Sequence, residues 1–231
     1  ETELAEVLSV DFSGEIKKIE SSEGTFKAKT IIIATGAVPR ELGVPGEKEL
    51  VGRGVGYCAT CDGMFYRNKT VMVIGGGNTA AADAMTLSRI CEKVILVHRR
   101  DSLRATKVYH KQLEETPNIE FYWNTTVSEF LYDKKLTGAK LHNVKTGEDT
   151  EISVDGAFIS IGRKPSSELF EGILAMDEAG YIIADESTRT NIPGVFAIGD
   201  VRTKALRQVV TAVADGAMAS HYIEEYLAHQ M

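Results

Sequence analysis

Cys58 and Cys61, with Asp62 directly after them, are the groups in this 231-residue sequence best suited to redox chemistry. A C-x-x-C spacing closes a small disulfide ring with little extra ordering of the chain, so such a pair can cycle between disulfide and dithiol. An adjacent carboxyl can give or take the proton that thiol exchange requires, although Asp62 reads equally well as a turn or cap residue. The pair could also be half of a zinc site, or a passive structural disulfide. For zinc, the only other thiol is Cys91, which falls in a predicted helix and has no close C-x-x-C companion. No metal site is expected, and Cys91 reads as a buried helix residue.

A second constellation begins ten residues later. Val71–Ile74 is a buried-type strand, Gly75-Gly76-Gly77 a glycine turn and Asn78–Ile90 a helix, which fits G-x-G-x-x-A through Gly75, Gly77 and Ala80. Gly75 permits the tight turn, Gly77 lets a diphosphate approach the backbone, and Ala80 lets helix and strand pack closely, with the helix N-terminus facing the negative charge. The next strand ends in Val97-His98-Arg99-Arg100, with Arg104 a short loop further on. An NAD site usually carries an acid there, about 20 residues past the glycines, to hold the ribose hydroxyls. Guanidinium groups instead fork onto phosphate oxygens, so a 2′-phosphate is accommodated and NADPH is the expected nucleotide. The alternative is a solvated basic turn.

These residues need a frame. Strand, helix, strand (Val94–Val97), helix (Thr106–Glu115) and strand (Ile119–Trp123) alternate, which implies a parallel sheet with right-handed crossovers. Short strands follow at Glu129–Tyr132, Ala139–Val144, Glu151–Val154 and Ala157–Ile161. Before the cysteines, Val7–Val10, Glu15–Ser21 and Phe26–Ala34 read as antiparallel strands. Ala37–Gly56, with Pro39, Pro45 and five glycines, reads as a linker, as does the region from Gly162 to Ser167. Tyr181–Ala184 and Val195–Ile198 are predicted strands and Val209–Leu227 a long helix. The expected fold is α/β: a Rossmann-like NADPH-binding domain, a parallel sheet plus short antiparallel strands, over residues 42–163. It is inserted between two pieces of another domain, residues 1–41 and 164–231.

Composition sets limits on partners. Apolar residues are 43% and charged residues 26%, the balance of an ordinary soluble globular protein. A formal charge of −7 gives no reason to expect nucleic acid or an anionic membrane as partner. Apolar runs such as Thr30–Ala34 are far too short to cross a bilayer. With one close cysteine pair, one singleton and no visible targeting segment, a reducing cytoplasmic setting is expected.

Cys58-Ala59-Thr60-Cys61-Asp62-Gly63, then Gly75–Ala80, then His98-Arg99-Arg100 with Arg104-Ala105, resemble the low-molecular-weight thioredoxin reductases in order and spacing. So do Ile161-Gly162-Arg163-Lys164-Pro165, Pro193–Val201 and Arg207-Gln208-Val209, so the resemblance covers essentially the whole chain. It implies a flavoprotein that takes hydride from NADPH onto FAD, passes electrons to the Cys58–Cys61 disulfide, and delivers them to thioredoxin or a similar small dithiol protein. By that likeness Cys61 faces the flavin, Cys58 attacks the partner and Asp62 is the acid or base. Gly75, Gly77, Asn78, Thr79, His98, Arg99, Arg100 and Arg104 hold NADPH, and Ile161 and Gly162 line its site. Thr35, Gly36, Asp200, Val201, Arg207, Gln208 and Val209 contact FAD, and residues 1–41 and 164–231 are by the same likeness the parts of an incomplete FAD-binding domain of the same three-layer type. A homodimer whose domains swing about the linkers is implied too.

The chain departs from the family in two places. The helix after the glycines reads Ala80-Ala81-Ala82-Asp83-Ala84 where the family often has a paired acid. The family's leading strand–G-x-G-x-x-G–helix for FAD, about 80 residues, is expected to be missing. FAD is therefore expected of the complete protein, while this chain alone is expected not to hold FAD tightly and its own activity is left open. A non-catalytic nucleotide-binding or redox-sensing module, and a reductase with a different protein carrier, are the other readings.

Overall fold

The computed structural model describes residues 1–230. In chain order its strands and helices begin with β1 (Val7–Asp11), β2 (Lys17–Ser21), β3 (Gly24–Ala28), β4 (Ile31–Ile33) and β5 (Ala37–Pro39). Then come α1 (Glu47–Leu50), β6 (Val55–Gly56), α2 (Ala59–Asp62), β7 (Thr70–Ile74), α3 (Asn78–Ser88), β8 (Lys93–His98), α4 (Lys107–Glu114) and β9 (Ile119–Trp123). The chain continues through β10 (Thr125–Tyr132), β11 (Leu136–Asn143), β12 (Asp149–Ser153), β13 (Gly156–Ile159), β14 (Arg163–Pro165), β15 (Val195–Ala197) and α5 (Val209–Ala228). Two compact units result: Pro39–Gly162, and Glu1–Val38 with Arg163–Met231.

The continuous unit is built on a five-stranded sheet of order β6-β13-β7-β8-β9, parallel throughout. The middle of its central strands, Val71–Ile74 and Val94–Val97, is apolar at every position because both faces are covered. The two-residue period divides them cleanly: Val71, Val73, Val94 and Leu96 face α3 and α4, with Ala80, Ala81, Ala84, Leu87 and Leu113. Met72, Ile74, Ile95 and Val97 face the other way, onto Val127, Phe130, Leu136, Ala139 and Leu141 of the antiparallel meander β10-β11-β12. Three layers follow: helices, parallel sheet, meander. Alanines on α3 bring its backbone close to the sheet, which sets the glycine turn directly against β13.

Part of the segment with linker composition is a packed element. Leu50 and Val55 are buried in the meander-side core, and β6 joins the sheet beside β13. Its glycines supply left-handed φ values, 75° at Gly43, 84° at Gly46 and 74° at Gly52, for tight turns rather than slack. The stretch predicted as one strand over Phe26–Ala34 breaks in two because its halves have different partners. β3 pairs antiparallel with β2, whereas β4 pairs parallel with β15. Tyr181–Ala184 forms no strand: fully buried Ile182 makes only single bridges, to Met176 and Arg202. Cys91 is buried, but it lies just past the end of α3.

In the discontinuous unit, β4 and β15 run side by side, and the chain leaves β15 through a 3-10 turn at Gly199–Val201. Asp215 of α5 fixes that turn. It accepts hydrogen bonds from Gly199 N–H (2.8 Å), Arg202 Nε (2.9 Å) and Nη2 (2.7 Å), and Lys204 Nζ (2.7 Å). Burial works to raise its pKa, but these donors together hold it down to about 2. A carboxyl whose folded pKa is depressed stabilises the protein above its unfolded value, near 4, and loses that contribution as pH falls through the folded one. An Asp215→Asn protein, which leaves two buried cations under-compensated, is expected to lose about 3 kcal/mol at pH 7. In urea unfolding the gap to the wild type should narrow between pH 5 and pH 2. A gap that stayed constant would show that the charge does not hold the turn.

Candidate active site

The glycine turn between β7 and α3 is wedged on three sides. A Cβ on Gly75, whose φ is +150°, would lie 2.4 Å from the Ser160 carbonyl oxygen and 2.9 Å from Ala80 Cβ. One on Gly76 would fall 2.2 Å from the ring of His98. Gly77 has open space where its Cβ would be. The Gly76 carbonyl accepts N–H bonds from Arg104 (2.7 Å) and Ala105 (3.0 Å), so the basic loop is tied to the turn itself. Asn78 strengthens that tie by accepting the Thr106 N–H at 2.8 Å.

A cavity of about 840 Å³ opens over this turn, large enough for a dinucleotide. Of the residues singled out from sequence, Gly75, Gly77, Thr79, His98, Arg99, Arg104, Ile161 and Gly162 line it. Asn78 and Arg100 are not in its wall. Arg40, Thr125, Thr126 and Ser160 also line it, and no sequence signal marked them, because they arrive from distant turns at the strand ends. His98 is 6% exposed, stands edge-on to Trp123 with centroids 6.3 Å apart, and leaves Nε2 buried without a hydrogen-bond partner. Burial, reinforced by Arg100 and Arg99, lowers its pKa, so the ring is neutral at pH 7. Asp83, on α3, accepts the Ser160 hydroxyl at 2.5 Å; burial raises its pKa against the opposing effect of that bond.

Cys58 and Cys61 are joined as a disulfide. Cys58 caps α2, and its sulfur accepts the Cys61 N–H at 3.2 Å. Cys61 is exposed, Cys58 and Asp62 half-buried. α2 packs on α3: Ala59 joins the cluster of Ala80, Ala81 and Ala84, and Gly63 abuts Leu87. The remaining thiol, Cys91, has its pKa pushed up to about 11 by burial, which makes it a poor nucleophile.

Thr35, Gly36, Asp200, Val201, Arg207, Gln208 and Val209 lie in the other unit, after the C-terminal ends of β4 and β15. There Thr35 Oγ1 donates to Ser166 O. The Arg207 guanidinium is engaged already, donating to Asp200 O and Arg202 O and stacking 3.8 Å from the centroid of Tyr181. Gln208 and Thr211 form a capping box at the start of α5, beside the exposed side chains of Val209 and Val210.

The chain resembles known proteins across nearly all of its length. Thioredoxin reductase from Peptoclostridium acidaminophilum is 46% identical over 230 residues, 97% of this chain and 73% of that protein. Thioredoxin reductase from Streptomyces coelicolor is 48% identical over 225 residues, covering 96% and 70%. The crystal structure of thioredoxin reductase from Streptococcus pyogenes superposes with a TM-score of 0.90 at 41% identity, over 97% of this chain and 74% of that one. Residues 1–216 match the family described as pyridine nucleotide-disulphide oxidoreductase. On this match and these identities, the chain belongs to the pyridine nucleotide-disulphide oxidoreductase family.

Proposed function

We propose that this chain carries the nucleotide- and disulfide-bearing parts of an NADPH-dependent thioredoxin-disulfide reductase. The observation that carries the reading is that the helix bearing the Cys58–Cys61 disulfide packs directly on the helix that opens the nucleotide cavity. Electron acceptor and nucleotide site would therefore share one compact unit.

The residues of the cavity fit NADPH. Gly77 and the N-terminus of α3 would hold the diphosphate, with Thr79 beside them. Arg99 and Arg104 would grip the 2′-phosphate in the manner of guanidinium forks, and the orphaned His98 Nε2 offers a further polar contact. Arg100, outside the cavity wall, is assigned a weaker, longer-range part. Ile161 and Gly162 also line the cavity, where they would help to shut out water.

For FAD the fit covers one end. Thr35, Gly36, Asp200 and Val201 stand after parallel strand ends, where α/β folds bind ligands. Val209 and Val210, 81% and 70% exposed, offer an apolar surface to a flat ring. The segments Glu1–Val38 and Arg163–Met231 contain no second G-x-G-x-x-G turn for the flavin's diphosphate. The chemistry these groups supply when bound is hydride donation by the nicotinamide and relay of the electron pair by the flavin.

The protein's own residues then handle thiols and protons. Reduction of the disulfide yields two thiols, and the Cys61 N–H that points at Cys58 Sγ favours the thiolate there. Cys58 thus attacks the partner disulfide, expelling a partner thiolate. Cys61 resolves the mixed disulfide, and Asp62 exchanges the proton. Thioredoxin, or a similar small dithiol protein, is the proposed acceptor, in a homodimeric cytoplasmic enzyme. Among the described residues no helix is long and apolar enough to cross a membrane.

Two measurements test this. Trp123 is the only tryptophan and stands against His98, so its emission reports on the cavity. Arg99→Ala with Arg104→Ala should raise the Kd for NADPH about 30-fold or more, with little change for NADH, since each lost charge-assisted bond costs 1.5–3 kcal/mol. Equal losses for both nucleotides would remove the phosphate assignment. For the thiols, thioredoxin with its resolving cysteine changed to serine, and the remaining thiol activated by an aromatic disulfide, is the probe. Cys61→Ser should form a stable, reductant-sensitive covalent adduct with it, and Cys58→Ser should not. Adduct formation by Cys58→Ser alone would reverse the roles.

A further inference from the structure

Glu47 is 1% exposed although it sits in the four-residue helix α1. Its carboxyl ties together two separate stretches of chain. Oε1 accepts the Leu42 N–H at 3.0 Å and the Tyr57 hydroxyl at 2.8 Å, and Oε2 accepts the Gly43 N–H at 2.7 Å. Leu42 forms part of the wall of the nucleotide cavity, with Arg40, Glu41 and Val44 around it. Tyr57 is peptide-bonded to Cys58, and its ring packs against the core that holds Leu50 and Val55. Burial, and then the bond to Glu47, push the Tyr57 phenol well above its ordinary range, so it remains a donor at any working pH. One buried carboxyl therefore spans the distance from the rim of the cavity to the disulfide, and each of its bonds leads to one or the other.

We propose that Glu47 is a positioning residue that couples nucleotide affinity to the redox state of Cys58–Cys61, through Tyr57 on one side and Leu42–Gly43 on the other. The proposal rests on the NADPH reading of the cavity. Reduction adds two electrons and two protons from a dithiol reductant, which is itself oxidised to its disulfide. The S–S bond breaks and two thiols form, whose sulfurs move to non-bonded separation. Cys58 shifts, the adjoining Tyr57 follows, and its hydroxyl alters the hold of Glu47 on the cavity rim. A buried polar group cannot drop a hydrogen bond without cost, so the rim responds rather than ignoring the change. Coupling of this kind is reciprocal: whichever redox state binds nucleotide more tightly is the state that nucleotide favours.

The experiment uses the full chain and NADP⁺ itself. Its Kd is measured by Trp123 emission on the disulfide form and on the form reduced with dithiothreitol, and amide exchange is followed at Leu42 and Gly43. The wild-type Kd should differ about 5-fold or more between the two forms. In Tyr57→Phe, which deletes only the hydroxyl, the ratio should fall below about 2-fold while the disulfide form keeps its affinity. Reduction should change the protection of Leu42 and Gly43 in the wild type but not in Tyr57→Phe. Glu47→Gln, which sets an amide donor against the Gly43 N–H, should weaken binding in both states and expose that amide. A ratio unchanged by Tyr57→Phe, or a wild type indifferent to reduction, overturns the coupling. If neither form binds NADP⁺, the nucleotide reading fails separately. The exchange measurement then decides the coupling, since identical protection in both redox states would overturn it.

Discussion

The turn Gly75–Gly77 has no freedom to be anywhere else. The Ser160 carbonyl closes on Gly75 from the end of β13, Ala80 presses from the first turn of α3, and the His98 ring lies against Gly76 from the end of β8. Protein interiors are packed as densely as organic crystals, so a methyl group would need backbone to shift at Gly75 and the buried His98 ring to move at Gly76. The same turn offers the Gly76 carbonyl to Arg104 and Ala105, so the loop bearing one guanidinium hangs from the residue that the histidine pins. The diphosphate end and the ribose-phosphate end of a bound nucleotide would thus be positioned by a single three-residue stretch.

Much of this was legible in the sequence, because it depends on local spacing. The strand–glycine–helix order, the basic end of the second strand and the cysteine pair each occupy short windows whose chemistry can be read directly. The middle glycine could not be read in that way. Gly76 fills a variable position of the fingerprint, and its reason for being glycine is His98, more than twenty positions away in sequence and in contact only once two parallel strands have paired. Arg40, Thr125, Thr126 and Ser160 escaped notice for the same reason. Sheet closure gathers them, and none carries a pattern of its own. Asn78 shows the converse, since a residue well placed for the ligand by spacing spends its side-chain oxygen on Thr106 N–H.

The segment before the cysteines shows why composition misleads there. Glycine and proline mark places where φ must take special values, and they do so equally in slack linkers and in tightly folded turns. What separates the cases is whether apolar residues between the turns find a core. Leu50 and Val55 do, and α1, which carries Leu50, brings Glu47 inward with it. Read by residue type alone, a glutamate in a glycine-rich stretch is a solvated surface group. Its burial follows from the hydrophobic residue three positions later.

Glu47 and Asp215 use one device in the two units. Each is a carboxyl on a helix, almost shut off from water, that takes backbone N–H bonds from a loop beside the candidate ligand site. A hydrophobic side chain in either place could fill the same volume and cost less desolvation. It could not fix direction, however, because dispersion contacts are nearly isotropic, whereas N–H bonds to a carboxyl oxygen lose their strength as the angle departs from linear. In the proposed function both loops would present backbone or side-chain groups to a ligand at defined orientations. The desolvation cost of a buried carboxyl is then the cost of orientation, and it recurs beside the candidate site in each unit.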